Sequence, residues 1–139
     1  MREQFAIANR AYLVAEDWTG EFPRTFAIHL YGGPVRLDAS VEIRNFGRTP
    51  AIIRMIRVDQ PMTQTETLNA FVYPEHHYTF RFHHDASIDP KTQIAIPITG
   101  IILYNDGFRN RTRHFHRIAV PHDEGIRFEI PEGSGNNEE

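Results

Sequence analysis

The chain has 139 residues, no cysteine, a formal net charge of -3 and a pI near 6.2. A chain of this length is expected to fold as one domain and to bury roughly two-thirds of its unfolded surface. The lack of cysteine excludes disulfides and thiolate metal sites, and the weak charge gives no strong field for nucleic acid. No apolar run approaches the ~20 residues that a membrane helix needs.

The first predicted strand runs from Arg10 to Ala15, where apolar residues alternate between two faces. A loop is predicted after it, containing Asp17, Trp18, Gly20 and Pro23. Thr25 to Tyr31 follows as a short edge strand, which Gly32, Gly33 and Pro34 end by favouring a turn.

The strongest pattern in the chain is the strict alternation of apolar and polar residues from Val35 to Arg44. Such alternation predicts a β-strand with one buried and one solvated face. A turn sequence, Asn45-Phe46-Gly47-Arg48-Thr49-Pro50-Ala51, leads into a second apolar run from Ile52 to Val58. The two runs therefore predict neighbouring antiparallel strands.

The segment from Gln60 to Glu75 is the least periodic part of the chain and is predicted to be a loop, with one helical turn around Glu66 to Phe71. Strands with turn residues between them are predicted for the rest of the chain. The first of these strands is marked by Tyr78, Phe80 and Phe82, and the next by Ile94, Ile96 and Ile98. The second strand continues in shifted phase from Ile101 to Tyr104, after a bulge predicted at Gly100. A hairpin turn at Asn105-Asp106-Gly107 leads to a strand from Thr112 to Val120, and a turn from Pro121 to Glu124 leads to the last strand, marked by Ile126, Phe128 and Ile130.

Seven or eight short strands without a helix predict an all-β fold, an immunoglobulin-like antiparallel β-sandwich. A closed β-barrel is the alternative, because periodicity does not show whether a sheet closes. Residues 10–131 are expected to form the domain, residues 1–9 a lead-in that resembles the end of a juxtamembrane helix, and residues 132–139 a disordered polar tail.

Several motifs resemble a group of poorly characterised bacterial immunoglobulin-like domains. They are Arg10-Ala11-Tyr12, Asn45-x-Gly47-x-Thr49-Pro50-Ala51, Gly100-x-x-x-Tyr104-x-Asp106 and Thr112-x-x-Phe115. Domains of that group commonly follow N-terminal membrane helices, so the resemblance implies a bacterial, membrane-tethered protein. It implies no activity, and the chain leaves the localisation open.

The residues of these motifs are also typical of chain corners. Asn45 and Gly47 tolerate left-handed φ, Thr49 hydrogen-bonds locally, and Pro50 blocks further sheet pairing. Tyr104 is expected to tie a corner through its hydroxyl, and Asp106 to form a turn.

Histidine is the residue type most suited to metal binding here. His114 and His116 are predicted to project from one strand face about 7 Å apart, a spacing suited to zinc. Further candidate ligands are His76, His77, His83, His84 and Asp85. Only pairs are visible in the sequence, so no cofactor is predicted and zinc is the alternative.

Arginines recur from Arg109 to Arg117 and alternate with aromatic and histidine residues, which resembles a ribbon that binds phosphate. Arg48 and Arg54 extend this patch only if the two hairpins adjoin. The acidic net charge favours a solvated strand face over binding of an anionic polymer or lipid surface.

No enzyme signature is present, since the serines lack a G-x-S-x-G context and no glycine-rich phosphate loop occurs. The sequence therefore predicts a non-enzymatic protein-interaction domain. Its contact surface is predicted to combine the loop from Gln60 to Glu75 with the hairpin from Asn105 to Arg113. The contact residues expected there are Glu66, Phe71, Phe108, Arg109, Arg111 and Arg113.

Overall fold

A computed structural model describes residues 10–21, 33–88, 95–122, 125–131 and 137–138. These residues form strands and connecting turns and contain no helix, so none of them builds a helix that could cross a membrane. The strands are β1 (Leu13–Glu21), β2 (Gly33–Asn45), β3 (Ala51–Gln60), β4 (Gln64–Val72), β5 (His77–Ile88), β6 (Ile96–Asn105), β7 (Asn110–His122), β8 (Gly125–Glu129) and the two-residue β9 (Asn137–Glu138).

The strands form two antiparallel sheets that pack face to face. One sheet has the order β4-β3-β6-β7-β8 and the other has the order β1-β2-β5. A single pair, Glu21 with Gly125, joins β1 to β8, while β9 pairs with β7 beside Arg113 and His114. The strand order ends at β4 and β5 without closing, so the predicted β-sandwich is confirmed and the closed barrel is wrong.

The core lies between the two sheets and follows the predicted alternation most clearly in β2, where Leu37, Val41 and Ile43 are buried. Each such side chain contributes about 1.5–3 kcal/mol when it leaves water. The facing layer is built from inward residues of β3, β6 and β7. These are Ile53, Ile56, Val58, Ile98, Ile102, Tyr104, Phe115 and Ala119.

The predicted loop through Asp17, Trp18 and Gly20 is wrong, because β1 continues to Glu21 through a bulge. The pairing of β1 with β2 shifts between Glu16 and Thr19, and Asp17 has a left-handed φ of 51°. The extra residue turns Trp18 towards the core, where its ring centroid lies 5.5 Å from that of Phe115. A bulge breaks the alternation that marks a strand, which explains the error.

The predicted loop from Gln60 to Glu75, with a helical turn around Glu66 to Phe71, is also wrong. Residues Gln64–Val72 form β4, the edge strand that pairs with β3 from Ala51 opposite Val72 to Val58 opposite Gln64. Leu68, Ala70 and Val72 face the core at two-residue spacing. Polar residues surround them because β4 is an edge strand with few buried positions, so the pattern is weak in sequence.

The predicted bulge and phase shift at Gly100 are wrong for β6 itself. Ile96, Ile98, Gly100 and Ile102 all lie on the buried side in one phase, and β6 pairs with β7 without interruption. The irregularity lies opposite, in β3, where the register shifts between Val58 and Gln60. Glycine is required at position 100 because a Cβ there would lie 2.4 Å from the Phe115 ring.

The other predicted strands within the described residues are confirmed by β3, β5, β7 and β8. Several predictions fall outside the described residues. These are the lead-in at residues 1–9, Pro23, the edge strand from Thr25 to Tyr31, Gly32, Ile94, Asp123 and Glu124 of the last predicted turn, and residues 132–136 and 139 of the tail.

Candidate interaction surface

Two tight turns with the same local construction lie at one end of the sandwich. The first, residues 45–50, joins β2 to β3, and the second, residues 105–109, joins β6 to β7. The Gly47 N–H donates to Asn45 Oδ1 at 2.8 Å, and the Gly107 N–H donates to Asn105 Oδ1 at 2.9 Å. Each turn is thus an Asx turn, which an asparagine side chain closes on the backbone two residues later.

Asn45 is fully buried and uses its whole side-chain amide. Its Oδ1 accepts the N–H groups of Gly47 and Tyr12, the latter at 3.1 Å. Its Nδ2 donates to the carbonyl oxygens of Thr49 at 2.8 Å and Val72 at 2.9 Å. One side chain therefore connects the residues before β1, the first turn and the end of β4.

Asp106 is the corresponding buried group of the second turn, with no exposed side-chain surface. Its Oδ1 accepts the N–H groups of Phe108 and Arg109, both at 2.8 Å, and its Oδ2 accepts Arg111 Nε at 2.8 Å. Burial by itself would raise the pKa of Asp106, but the hydrogen bonds from Arg109, Arg111 and Phe108 outweigh it and lower this pKa below its ordinary value.

The two turns adjoin. Thr49 Oγ1 donates to the Asp106 carbonyl oxygen at 3.0 Å, and a methyl group built at Gly107 would lie 3.0 Å from Thr49 Oγ1. The segment before β1 runs between the two turns, since the Ala11 N–H donates to the backbone carbonyl of Asp106 and the Arg48 N–H donates to the backbone carbonyl of Arg10. The turns therefore form one surface, although they are about 60 residues apart in sequence.

Gly47 is required for a different reason from the one predicted. Among the described glycines only Gly107, with φ of 97°, is left-handed. A Cβ at Gly47 would lie 2.0 Å from the Arg10 carbonyl oxygen and 2.6 Å from the Tyr12 nitrogen. Glycine at this position lets the chain before β1 cross directly over the turn.

Each turn presents one phenylalanine and one arginine to solvent. Phe46 and Arg48 come from the first turn, and Phe108 and Arg109 from the second; we call these four residues the twin-turn surface. Phe46 is 57% exposed and Phe108 is 70% exposed. Among the described residues, neither Arg48 nor Arg109 makes an ion pair.

A third exposed group lies at the same end of the sandwich, where β4 leads into β5. The rings of Phe71 and Tyr73 stack with centroids 6.4 Å apart, and His76 meets Tyr73 edge-on at 6.3 Å. Hydrogen bonds tie this connection to the first turn, because the Glu75 N–H donates to the Asn45 carbonyl and the Asn45 N–H donates to the His76 carbonyl.

The arginines from Arg109 to Arg117 form neither the solvated strand face that the sequence favours nor the alternative, a continuous basic ribbon, because two of them point into the sandwich. Arg113 is 2% exposed, donates from Nε to the Leu13 carbonyl at 2.8 Å and lies 4.5 Å from the centroid of the Tyr12 ring. Arg117 lies 5.8 Å from the centroid of the Trp18 ring, and burial lowers its pKa. Arg111 forms an ion pair with the buried Asp106. Of the four arginines of this stretch, Arg109 is therefore the one whose side chain is exposed without an ion pair among the described residues.

The remaining predicted residues are dispersed. Tyr104 is fully buried in the core, and Pro50 precedes β3 at the twin turns. Glu66 lies on β4 and accepts a hydrogen bond from the Tyr78 hydroxyl at 3.3 Å. Arg54 donates to the Asn69 side chain at 2.6 Å and belongs to the exposed side of β3. The first turn thus brings Arg48 beside the second hairpin, whereas the Arg54 side chain contacts Asn69 of β4.

His114 and His116 share the face of β7 opposite to its buried arginines, beside Ile101 and Thr99 of β6. Within the described ranges, no group of three histidine, aspartate or glutamate side chains is placed to hold a metal ion. The geometry of these residues gives no support to a zinc site with three or four converging ligands.

A groove of about 570 Å³ lies elsewhere, on the outer face of β1, β2 and β5. Its lining includes the charged or titratable side chains of Arg36, Asp38, Arg81 and His83 together with the apolar Ala39 and Phe82. The hydroxyls of Thr19 and Ser40 hydrogen-bond to each other there at 2.8 Å.

Phe46 and Tyr73 are exposed residues that sequence reasoning did not single out. A signal for Phe46 was present, because both turns combine Asn-x-Gly with one phenylalanine and one arginine.

Comparison of the chain with protein-family models, with curated proteins and with solved structures gives no match.

Proposed function

We propose that the chain is a non-enzymatic protein-interaction domain whose partner binds the twin-turn surface, with Phe71 and Tyr73 at its margin. The observation that carries the proposal is the concentration of exposed apolar side chains at one end. Among the residues that the structure describes, six large apolar side chains are exposed, and four of them, Phe46, Phe71, Tyr73 and Phe108, belong to turns or strand ends at that end of the sandwich. Exposed apolar groups that cluster in this way are typical of interaction sites.

Burial of these side chains against a partner would supply the main driving force. A phenylalanine that becomes fully buried contributes about 1.5–3 kcal/mol, and aromatic residues and arginine are both enriched in protein interfaces. Phe46 and Phe108 therefore fit the role of anchors.

The buried hydrogen bonds beneath the surface support the same proposal. Asn45 and Asp106 hold both turns through side-chain hydrogen bonds, so the backbone of the surface is ordered before a partner arrives. A preorganised surface loses less conformational entropy on binding than a mobile loop does. In the same proposal the domain belongs to a bacterial, membrane-tethered protein, and this part rests on the motif resemblance alone.

Site-specific photo-crosslinking in cells that express the chain tests the proposal. A photoreactive amino acid replaces Phe108 in one variant and Met62, which is 49% exposed in the turn between β3 and β4, in a matched control. We expect a discrete protein adduct from position 108 that is absent from position 62 and is lost when Phe46→Ser is added. Equal adducts at both positions, or none at position 108, would refute it.

A further inference from the structure

We infer that the partner presents an acidic segment with apolar side chains to the twin-turn surface, an inference that rests on the proposed function. The reason is a local reversal of charge. The chain carries a net charge of -3, yet the surface displays Arg48 and Arg109 without ion pairs among the described residues. Complementary charge on the partner would steer association and fix its orientation.

The carboxylates near the surface do not neutralise these arginines. Within residues 46–50, 73–76 and 106–109, the acidic side chains are Glu75 and Asp106. Asp106 is buried, and its oxygens are occupied by the Phe108 and Arg109 N–H groups and by Arg111. Glu75 lies in the connection between β4 and β5, beside Arg44, which donates to the Glu75 carbonyl at 3.4 Å.

The internal position of Asp106 is important for this inference. Arg10, whose side chain is 6% exposed, lies 3.7 Å from Asp106 Oδ2, and Arg111 Nε lies 2.8 Å from the same oxygen. The Asp106 charge is therefore balanced by side chains beneath the turn. The guanidinium groups of Arg48 and Arg109 remain available for carboxylates from outside.

The pairing of residue types specifies the partner further. Each turn offers one phenylalanine and one arginine, so a matching segment alternates apolar side chains with carboxylates. Guanidinium groups bind carboxylates in a two-pronged geometry, while the phenylalanines supply the apolar area. An extended polyanion such as DNA fits less well, because Arg113 and Arg117 are buried and the chain as a whole repels polyanions.

Fluorescence anisotropy with labelled probes tests the inference on the full chain. The probes are a peptide of glutamates interrupted by phenylalanines, the same peptide with lysine in place of glutamate, a short DNA duplex, and vesicles of phosphatidylglycerol in phosphatidylcholine. The protein variants are Arg48→Gln, Arg109→Gln and Phe108→Ser. The matched control is Arg81→Gln, an exposed arginine of β5.

We expect the glutamate peptide to bind most tightly. Each twin-turn arginine substitution should weaken this binding about 1.4- to fivefold, since exposed charge pairs are worth about 0.2–1 kcal/mol. Phe108→Ser should weaken it about tenfold or more, and Arg81→Gln should leave it unchanged.

Equal or tighter binding of the lysine peptide, the DNA or the vesicles would overturn the inference. So would arginine variants that bind the glutamate peptide as the wild type does. If position 108 gives a specific crosslink and the peptides give any of these results, the inference of an acidic partner fails while the proposed interaction surface stands. The crosslink tests where the partner binds, and the peptides test the chemistry of the partner.

Discussion

The side chain of Asn45 shows how one residue can fix the geometry of a whole surface. Its amide makes four hydrogen bonds to backbone groups of Tyr12, Gly47, Thr49 and Val72. The Asn45 side chain is fully buried, so water does not replace it as a hydrogen-bond partner. Any substitution of Asn45 therefore leaves backbone donors or acceptors without partners.

We predict that Asn45→Ala lowers the free energy of unfolding by about 2–4 kcal/mol, because buried polar groups lose their partners. Asn45→Asp should be at least as harmful, since a carboxylate oxygen would face the Thr49 and Val72 carbonyl oxygens. Asn105→Ala is the matched control, because Asn105 closes the other turn at a partly exposed position, and should cost about 1 kcal/mol or less. Urea denaturation measures all three, and equal losses at positions 45 and 105 would contradict the role of Asn45.

The pKa of Asp106 leads to a prediction about pH. A folded-state pKa below the unfolded value of about 3.9 contributes stability that is complete above that pH and is lost as pH falls through the folded pKa. The difference in unfolding free energy between wild type and Asp106→Asn should therefore be constant near neutral pH and shrink below about pH 4. Chemical denaturation across this range measures it. A difference that grows towards acid pH would show that the pKa of Asp106 is raised.

At the scale of elements, alternation in sequence predicted the strands whose two faces differ most. β2 and β5 bury one face and solvate the other, so their period is clear. The alternation did not predict the later part of β1, because the bulge reverses the pattern at Trp18. It did not predict β4, because an edge strand buries few side chains. Seven or eight strands were predicted and eight strands of five or more residues are described, although β4 was not among the predicted ones.

The bulge in β1 predicts that Trp18 is a structural residue. Its ring lies 5.5 Å from Phe115 and 5.7 Å from Phe128, measured between centroids. Trp18→Ala should therefore lower the free energy of unfolding by about 3 kcal/mol, and Trp18→Phe by clearly less. Because Trp18 is the single tryptophan, its fluorescence should shift to longer wavelength on unfolding. An emission spectrum that is already that of solvated tryptophan in the native protein would contradict the packing.

The close crossing at the first turn predicts unequal effects of two similar substitutions. Gly47→Ala should cost about 3 kcal/mol, because its Cβ would lie 2.0 Å from the Arg10 carbonyl oxygen. Gly107→Ala should cost about 1–2 kcal/mol, since its penalty arises mainly from the left-handed φ of 97°. Thermal and urea unfolding of both variants compare them. A larger loss for Gly107→Ala would show that the crossing is not close.

At the scale of the whole molecule, the sequence identified parts of the surface but not their assembly. Phe108, Arg109 and Phe71 were named from sequence because they are apolar or charged residues in predicted connections. The sequence also predicts Arg113 as a contact residue, but its side chain is buried. Alternation alone does not tell which face of β7 points into the core. The contact between the two turns depends on long-range packing through Thr49, which no local pattern encodes.

The central claim is that the two turns form one ordered surface fixed from beneath, and amide hydrogen exchange by NMR tests it most directly. The Gly47 and Phe108 N–H groups donate to the buried side chains of Asn45 and Asp106. Both amides should therefore exchange as slowly as those of the core strands, although they lie in turns at the surface. Exchange at the rate of an unstructured peptide, with the core strands still protected, would contradict the account.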